Sequence, residues 1–215
     1  MTSASHKTLL QINDLHFSYP AHQIFSHFSA AIASGITVIR GGDGRGKSTL
    51  LRLLAGALTA QGGQLHLNGF DSQAQPANYK MQVFWIEPRS DVFDQLTALA
   101  YFALQRERYV TFNDAVLATM TAGLGLQDHL HKQLFMLSTG SKRKVWLAAA
   151  FASGAAVTLL DEPFAALDAA SIAFITVWLQ DAASNNPREY ARAWVWADYT
   201  APDGLPLAQV IDLGD

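Results

Sequence analysis

The chain has 215 residues, half of them apolar, so it has enough material to bury a sizeable core. Its net charge of −3 leaves no excess of Lys and Arg to neutralise a phosphodiester backbone, which argues against a nucleic-acid partner. Cysteine is absent, which excludes a disulfide framework and a thiolate metal site, and only 15% of residues are charged, as expected where another protein covers part of the surface.

Residues 1–14 contain one Lys and no long apolar stretch, so no signal peptide is expected there. Residues 8–17 alternate at near period two and end at Tyr19-Pro20, which predicts a strand and a turn. A short apolar run at 36–39 predicts a buried strand. A glycine-rich turn at 41–46 follows it, and then a helix whose apolar residues Leu50, Leu53, Leu54 and Leu58 recur at helical spacing. Residues 64–67 and 82–86 read as further strands. From 95 to 152 the pattern is helical, with candidate helices at 96–108, 112–122 and 141–152.

The longest uncharged run, 145–160, is broken by Ser153-Gly154 and is shorter than the roughly 18–20 residues of a membrane span. It reads as a helix end, a turn and a strand at 157–160. A helix at 172–179, a polar loop at 184–189 and strands at 194–197 and 209–213 complete the chain. These features predict a cytosolic protein.

The pattern G-x-x-x-x-G-K-[ST] is met by Gly41, Gly46, Lys47 and Ser48, between a predicted strand and a predicted helix. In such a loop the segment Gly41, Gly42, Asp43, Gly44, Arg45 and Gly46 curls so that its N–H groups face phosphate oxygens. The helix opening at Lys47, Ser48 and Thr49 adds the positive end of its dipole. Lys47 is placed to reach the β- and γ-phosphates of a nucleotide, and the Ser48 hydroxyl to bind Mg2+, a hard cation that prefers oxygen. Asp161 and Glu162 follow a wholly apolar strand, which suits Asp161 to the metal and Glu162 to polarising an attacking water.

Leu137-Ser138-Thr139-Gly140-Ser141 resembles a worn L-S-G-G-Q signature of the ATP-binding cassette (ABC) ATPases. Asp161-Glu162-Pro163-Phe164-Ala165-Ala166-Leu167-Asp168 is similar to that family's Walker B strand end and D-loop, and Tyr19 to the A-loop aromatic that stacks on adenine. The resemblance implies an α/β fold: a P-loop NTPase core with a mixed sheet at about 1–90 and 155–215, an antiparallel β subdomain, and an inserted helical subdomain at about 91–154, in one domain spanning 1–215. It also implies that ATP and Mg2+ bind, and that Ser138 and Gly140 contact the γ-phosphate of ATP held by an opposite cassette. That cassette would be a second copy or a different chain. The implied function is an ATP-hydrolysing subunit that powers a separate membrane permease from the cytoplasmic face of the membrane. Two readings stand beside it: a weakly hydrolysing cassette that partners a competent one, and a soluble P-loop ATPase or kinase. Residues 85–98 and 161–164 also resemble the ATP-binding subunit of the haem exporter of cytochrome c maturation.

Thr139 and Ser141 depart from the signature and Ala165 stands where Ser is usual, and two further sites differ from the family. Glu87-Pro88-Arg89 stands where a Gln is expected, and Asp198 where a His contacts the γ-phosphate. A carboxylate at 198 repels phosphate unless protonated or paired. Lys144 matches the usual Arg after the signature, and the basic run Lys142-Arg143-Lys144 is either a solvated face or a phosphate-proximal one. Ser138 is open to a simpler role as a helix N-cap, and Tyr19 to packing on Pro20.

Overall fold

A computed structural model describes residues 8–87, 90–185, 192–199 and 201–214. Two sheets divide the strands. An antiparallel sheet has β1 (Thr8–Tyr19) between β2 (His22–Ala33) and β4 (Gly62–Leu67), with the short β5 (Phe70–Asp71) beyond β4. The second sheet runs β6 (Val83–Trp85), β7 (Val157–Asp161), β8 (Ala193–Ala197), β3 (Gly35–Arg40), β9 (Leu207–Asp212), all parallel. Strands buried on both faces need near-continuous apolar runs, which residues 36–39, 157–160 and 193–197 supply, with only Thr37 and Thr158 as buried polar exceptions.

Helix α1 (Lys47–Leu54) buries Leu50, Leu51, Leu53 and Leu54 in one core cluster with β1, β4 and alternate residues of the parallel sheet, including Ile39, Leu159 and Val195. The other core cluster gathers Ile36, Val38, Trp194 and Trp196 with α5 (Thr139–Ala152) and α6 (Ala169–Asn185). Helices α3 (Ala98–Arg108) and α4 (Asp114–Gly123) and two 3-10 turns fill the stretch before α5. Thr97, Asn113 and Ser138 each accept a hydrogen bond from a first-turn N–H, which explains where these three helices start. Buried Arg192 donates to the carbonyls of Ala150, Phe151 and Ala155 and to the hydroxyl of Thr158, tying the end of α5 to the sheet.

Among the described elements, β2, the two-residue β5, the six-residue α2 (Pro76–Met81) and the two 3-10 turns have no counterpart in the sequence reading. In β2 the alternation is interrupted by His27, whose φ of 55° makes it a bulge. Helix α2 is too short and polar to show a period. The helix expected at 172–179 runs from Ala169 to Asn185, so the loop expected at 184–189 begins inside it and continues outside the described residues.

Candidate functional site

Strand β3 delivers the phosphate-binding loop. Gly41, Gly44 and Gly46 have φ of 148°, 75° and 90°, a region open to glycine at no steric cost. At Gly46 a Cβ would lie 2.4 Å from Ile24 Cγ2 of β2, so the antiparallel sheet closes on the loop only because this residue has no side chain. Lys47 Nζ donates to the carbonyls of Gly41 (2.6 Å) and Gly42 (2.9 Å) and lies 4.4 Å from the centroid of the Tyr199 ring. The Tyr199 hydroxyl hydrogen-bonds Asp43, so Tyr199 spans the loop from Asp43 to Lys47. Tyr199 escaped the sequence reading, since an aromatic after a strand carries no motif. Tyr19 comes to the same helix, with its hydroxyl 3.4 Å from Thr49 Oγ1.

The acidic pair leaves the sheet beside this loop. Asp161 and Ile39 both pair with Ala197 across adjacent strands, so Asp161, the phosphate loop and Asp198 emerge at one level of the sheet. Burial pushes the Asp161 carboxyl above its ordinary value, the Ser48 hydroxyl bonded to it works in the opposite direction, and Glu162 and Glu87 add to the rise. Paired hard oxygens from Ser48 and Asp161 in a field of further carboxylates fit Mg2+, because a divalent cation relieves the desolvated charge. Glu162 has a φ of 47°. Its N–H donates to the carbonyl of Ala197 (2.9 Å) and its carbonyl accepts from Arg143 Nη1.

The signature-like segment opens α5. Ser138 is its N-cap, accepting from the N–H of Ser141 at 3.1 Å, so the capping role is real. Gly140 packs on the loop after β7, where a Cβ would sit 2.4 Å from the carbonyl oxygen of Ala166. Lys144 Nζ lies 2.6 Å from Asp168 Oδ2, and this pairing is the main reason the Asp168 carboxyl titrates well below the usual range. The structure therefore brings Gly140 against the loop after β7 and leaves Ser138 exposed, while the phosphate loop gathers Ser48, Asp161 and Tyr199.

A family model described as ABC transporter matches residues 27–165, from β2 to the segment just past Glu162. The chain belongs to the ABC transporter family. It is similar to the cytochrome c biogenesis ATP-binding export protein CcmA 2 of Salmonella paratyphi A, at 32% identity over 172 residues covering 78% of this chain and 80% of that protein. This agrees with the resemblance to the haem exporter subunit. It is also 37% identical over 139 residues to the molybdenum import ATP-binding protein ModC of Saccharophagus degradans, covering 62% of this chain and 38% of that one. Among solved structures, an ATP-binding subunit of an ABC transporter superposes with a TM-score of 0.77 at 22% identity, over 89% of this chain and 80% of that one. A bacterial Atm1-family ABC exporter with ATP bound gives 0.73 at 20% identity, over 92% and 37%. Both establish the α/β cassette fold, and the chain is an ATP-binding subunit of that family.

Against the ABC pattern, Glu87, Asp198 and the basic run all acquire partners. Glu87 is gripped by Arg52 of α1, with Nη2 to Oε1 at 2.6 Å and Nε to Oε2 at 3.1 Å, so this position is tied to the phosphate-loop helix. Asp198 donates its N–H to the carbonyl of Ile39 at 3.2 Å, and its charge acts on the Arg143 guanidinium. Burial lowers the pKa of Arg143, while Glu162, Asp161 and Asp198 act against that. Of the basic run, Lys142 pairs with Asp94, Arg143 with the Glu162 carbonyl and Lys144 with Asp168, so none of the three forms a merely solvated face. Pro88 and Arg89 lie outside the described residues.

Proposed function

We propose that this cassette hydrolyses ATP with Mg2+ and that the hydrolysis powers a separate membrane permease. The observation that carries this reading is the convergence of Lys47, the Ser48 and Asp161 oxygens and Glu162 at the ends of three adjacent parallel strands. In the proposed assignment the loop from Gly41 to Gly46, with Lys47, Ser48 and Thr49, binds the phosphates, and Tyr19 stacks on adenine. Lys47 exchanges the carbonyls of Gly41 and Gly42 for phosphate oxygens. Ser48 and Asp161 would hold Mg2+, which when bound would supply positive charge to offset that of the phosphates. Glu162 accepts a hydrogen bond from the attacking water, orienting it towards the γ-phosphorus while ADP leaves. Asp198, balanced by Arg143, stands beside the same phosphate.

A single cassette leaves Ser138 exposed at the start of a helix, with Gly140 two residues on, suited to an anion supplied from elsewhere. Two cassettes, of the same or different chains, would complete each site. Residues 91–154 form the helical subdomain in this reading. Its surface exposes Val92 (76%), Phe135 (54%) and Met136 (60%), and Phe135 is bonded through its N–H to the carbonyl of Asp94, which brings the patch together. We assign this patch to the permease, which places the protein on the cytoplasmic face of the membrane. Among the described residues no helix is long and apolar enough to cross a membrane.

The test is Mg2+-dependent ATP hydrolysis by the purified chain beside Glu162→Gln. Turnover that falls by about 10²- to 10⁴-fold with nucleotide binding intact supports the reading. Tight binding with no turnover in the native chain would sink it.

A further inference from the structure

Away from the nucleotide site, Asp14, His16 and His27 bring one oxygen and two imidazole nitrogens within 4.8 Å of one another on the antiparallel sheet. We infer that this cluster is a binding site for a borderline divalent transition metal of the Zn2+ class.

The cluster depends on irregular backbone on both strands. Between Ile12 and Leu15, β1 carries one residue more than β2, and between Leu15 and Phe17 β2 carries one more than β1. The residues at these bulges, Asp14 and His27, have φ of 52° and 55°, a left-handed conformation uncommon for non-glycine residues but better tolerated by Asp and His than by most. The two bulges turn both side chains to the face that already presents His16, two residues along β1 from Asp14.

Neighbouring residues make room for the arrangement. Gly62 lies opposite His16, and a Cβ there would come within 3.2 Å of the imidazole ring. Gly63, at φ 83°, would place a Cβ 2.3 Å from the carbonyl oxygen of Asp14. The hydroxyl of Ser29 accepts from the N–H of Asp14 at 2.9 Å and fixes the bulge from β2.

The donor set selects the metal. Two imidazoles and one carboxylate suit Zn2+, Ni2+ or Cu2+ and not Mg2+ or Ca2+, which take oxygen. Metal bonds of about 2.0–2.2 Å in a tetrahedron put neighbouring ligand atoms about 3.3–3.6 Å apart. His16 Nε2 lies 3.4 Å from Asp14 Oδ1, within that range, and His27 Nδ1 lies 2.7 Å from the same oxygen, a hydrogen-bond length. Exchanging that shared proton for the metal requires only a short outward movement of the exposed His27 ring. Three protein ligands leave one position for water or a further donor.

Zinc chloride titrated into the full chain by calorimetry, in a chelator-free buffer without nucleotide, should show one site per chain. His16→Gln, His27→Gln and Asp14→Asn should each weaken it by at least about tenfold, the lower limit seen when even supporting groups of a metal site are lost. His66→Gln, a histidine of the same sheet outside the cluster, should leave it unchanged. Circular dichroism of each variant separates loss of a ligand from loss of the fold. Absence of saturable Zn2+ uptake by the native chain, or uptake unaltered by any one of the three cluster substitutions, would overturn the assignment.

Discussion

Arg143, on the helix that opens with the signature-like segment, donates to the main-chain carbonyl of Glu162, the residue assigned to water activation. Glu162 is left-handed and is also held from β8 through its N–H, so its backbone is clamped from two elements. A non-glycine residue in that conformation persists only when its surroundings enforce it. Arg143→Ala should therefore lower kcat for ATP by about ten- to a hundredfold, the cost of a misplaced catalytic group, with KM nearly unchanged. Arg143→Lys should recover part of the loss. An equal change in KM and kcat would point to general loosening instead.

Gly140 and Ala166 approach so closely that any Cβ at 140 collides with a backbone oxygen, which has no rotamer to escape into. Gly140→Ala should cost about 1–3 kcal/mol, as overpacking does, read as a lower urea midpoint, and should depress hydrolysis through the displaced D-loop. Unchanged stability and turnover would show that the two segments separate easily.

Asp161 gives a pH prediction of definite sign. Its raised pKa, due first to burial, means that the folded chain holds this proton more tightly than the unfolded chain does. Its contribution to stability therefore declines as pH rises from the ordinary carboxylate value through the raised one, and the penalty persists at neutral pH. Asp161→Asn removes the penalty. In nucleotide-free thermal melts the variant should be more stable than the native chain near pH 7, with the difference shrinking towards about pH 4, near the reference carboxylate value. It should also lose Mg2+-dependent hydrolysis. A variant that melts lower at neutral pH contradicts the account.

The apolar patch yields a prediction that separates binding from catalysis. Phe135→Asp with Met136→Asp should leave basal ATP hydrolysis within about twofold, since exposed substitutions seldom disturb a fold. The same pair should abolish co-purification with the permease, where a buried charge is costly. Retained co-purification would move the docking surface elsewhere.

Much of this molecule can be read from its residues, for reasons that differ from element to element. The phosphate loop declares itself because Gly41, Gly46, Lys47 and Ser48 are contiguous and each is chemically required. Strand β7 is legible because burial on both faces demands a near-continuous apolar run, here broken only by Thr158, before Asp161 and Glu162. Only Ser138 reads as a helix N-cap in the sequence, because capping is local; the starts predicted at 96 and 112 fall two residues before those of α3 and α4, whose caps Thr97 and Asn113 show in the structure. Strand β2 is obscured because the His27 bulge shifts its alternation, and the bulge exists only through pairing with β1. What only the tertiary structure decides are contacts between distant segments. Glu87 grips Arg52, Tyr199 lies over Lys47, Arg143 holds the Glu162 carbonyl, and Asp14 meets His27. A motif records which groups are present, whereas side chains from separate strands and helices become neighbours only when the sheets twist and pack. The sequence thus determined the family and the phosphate chemistry, and the folded chain decided which residues balance the carboxylates around them.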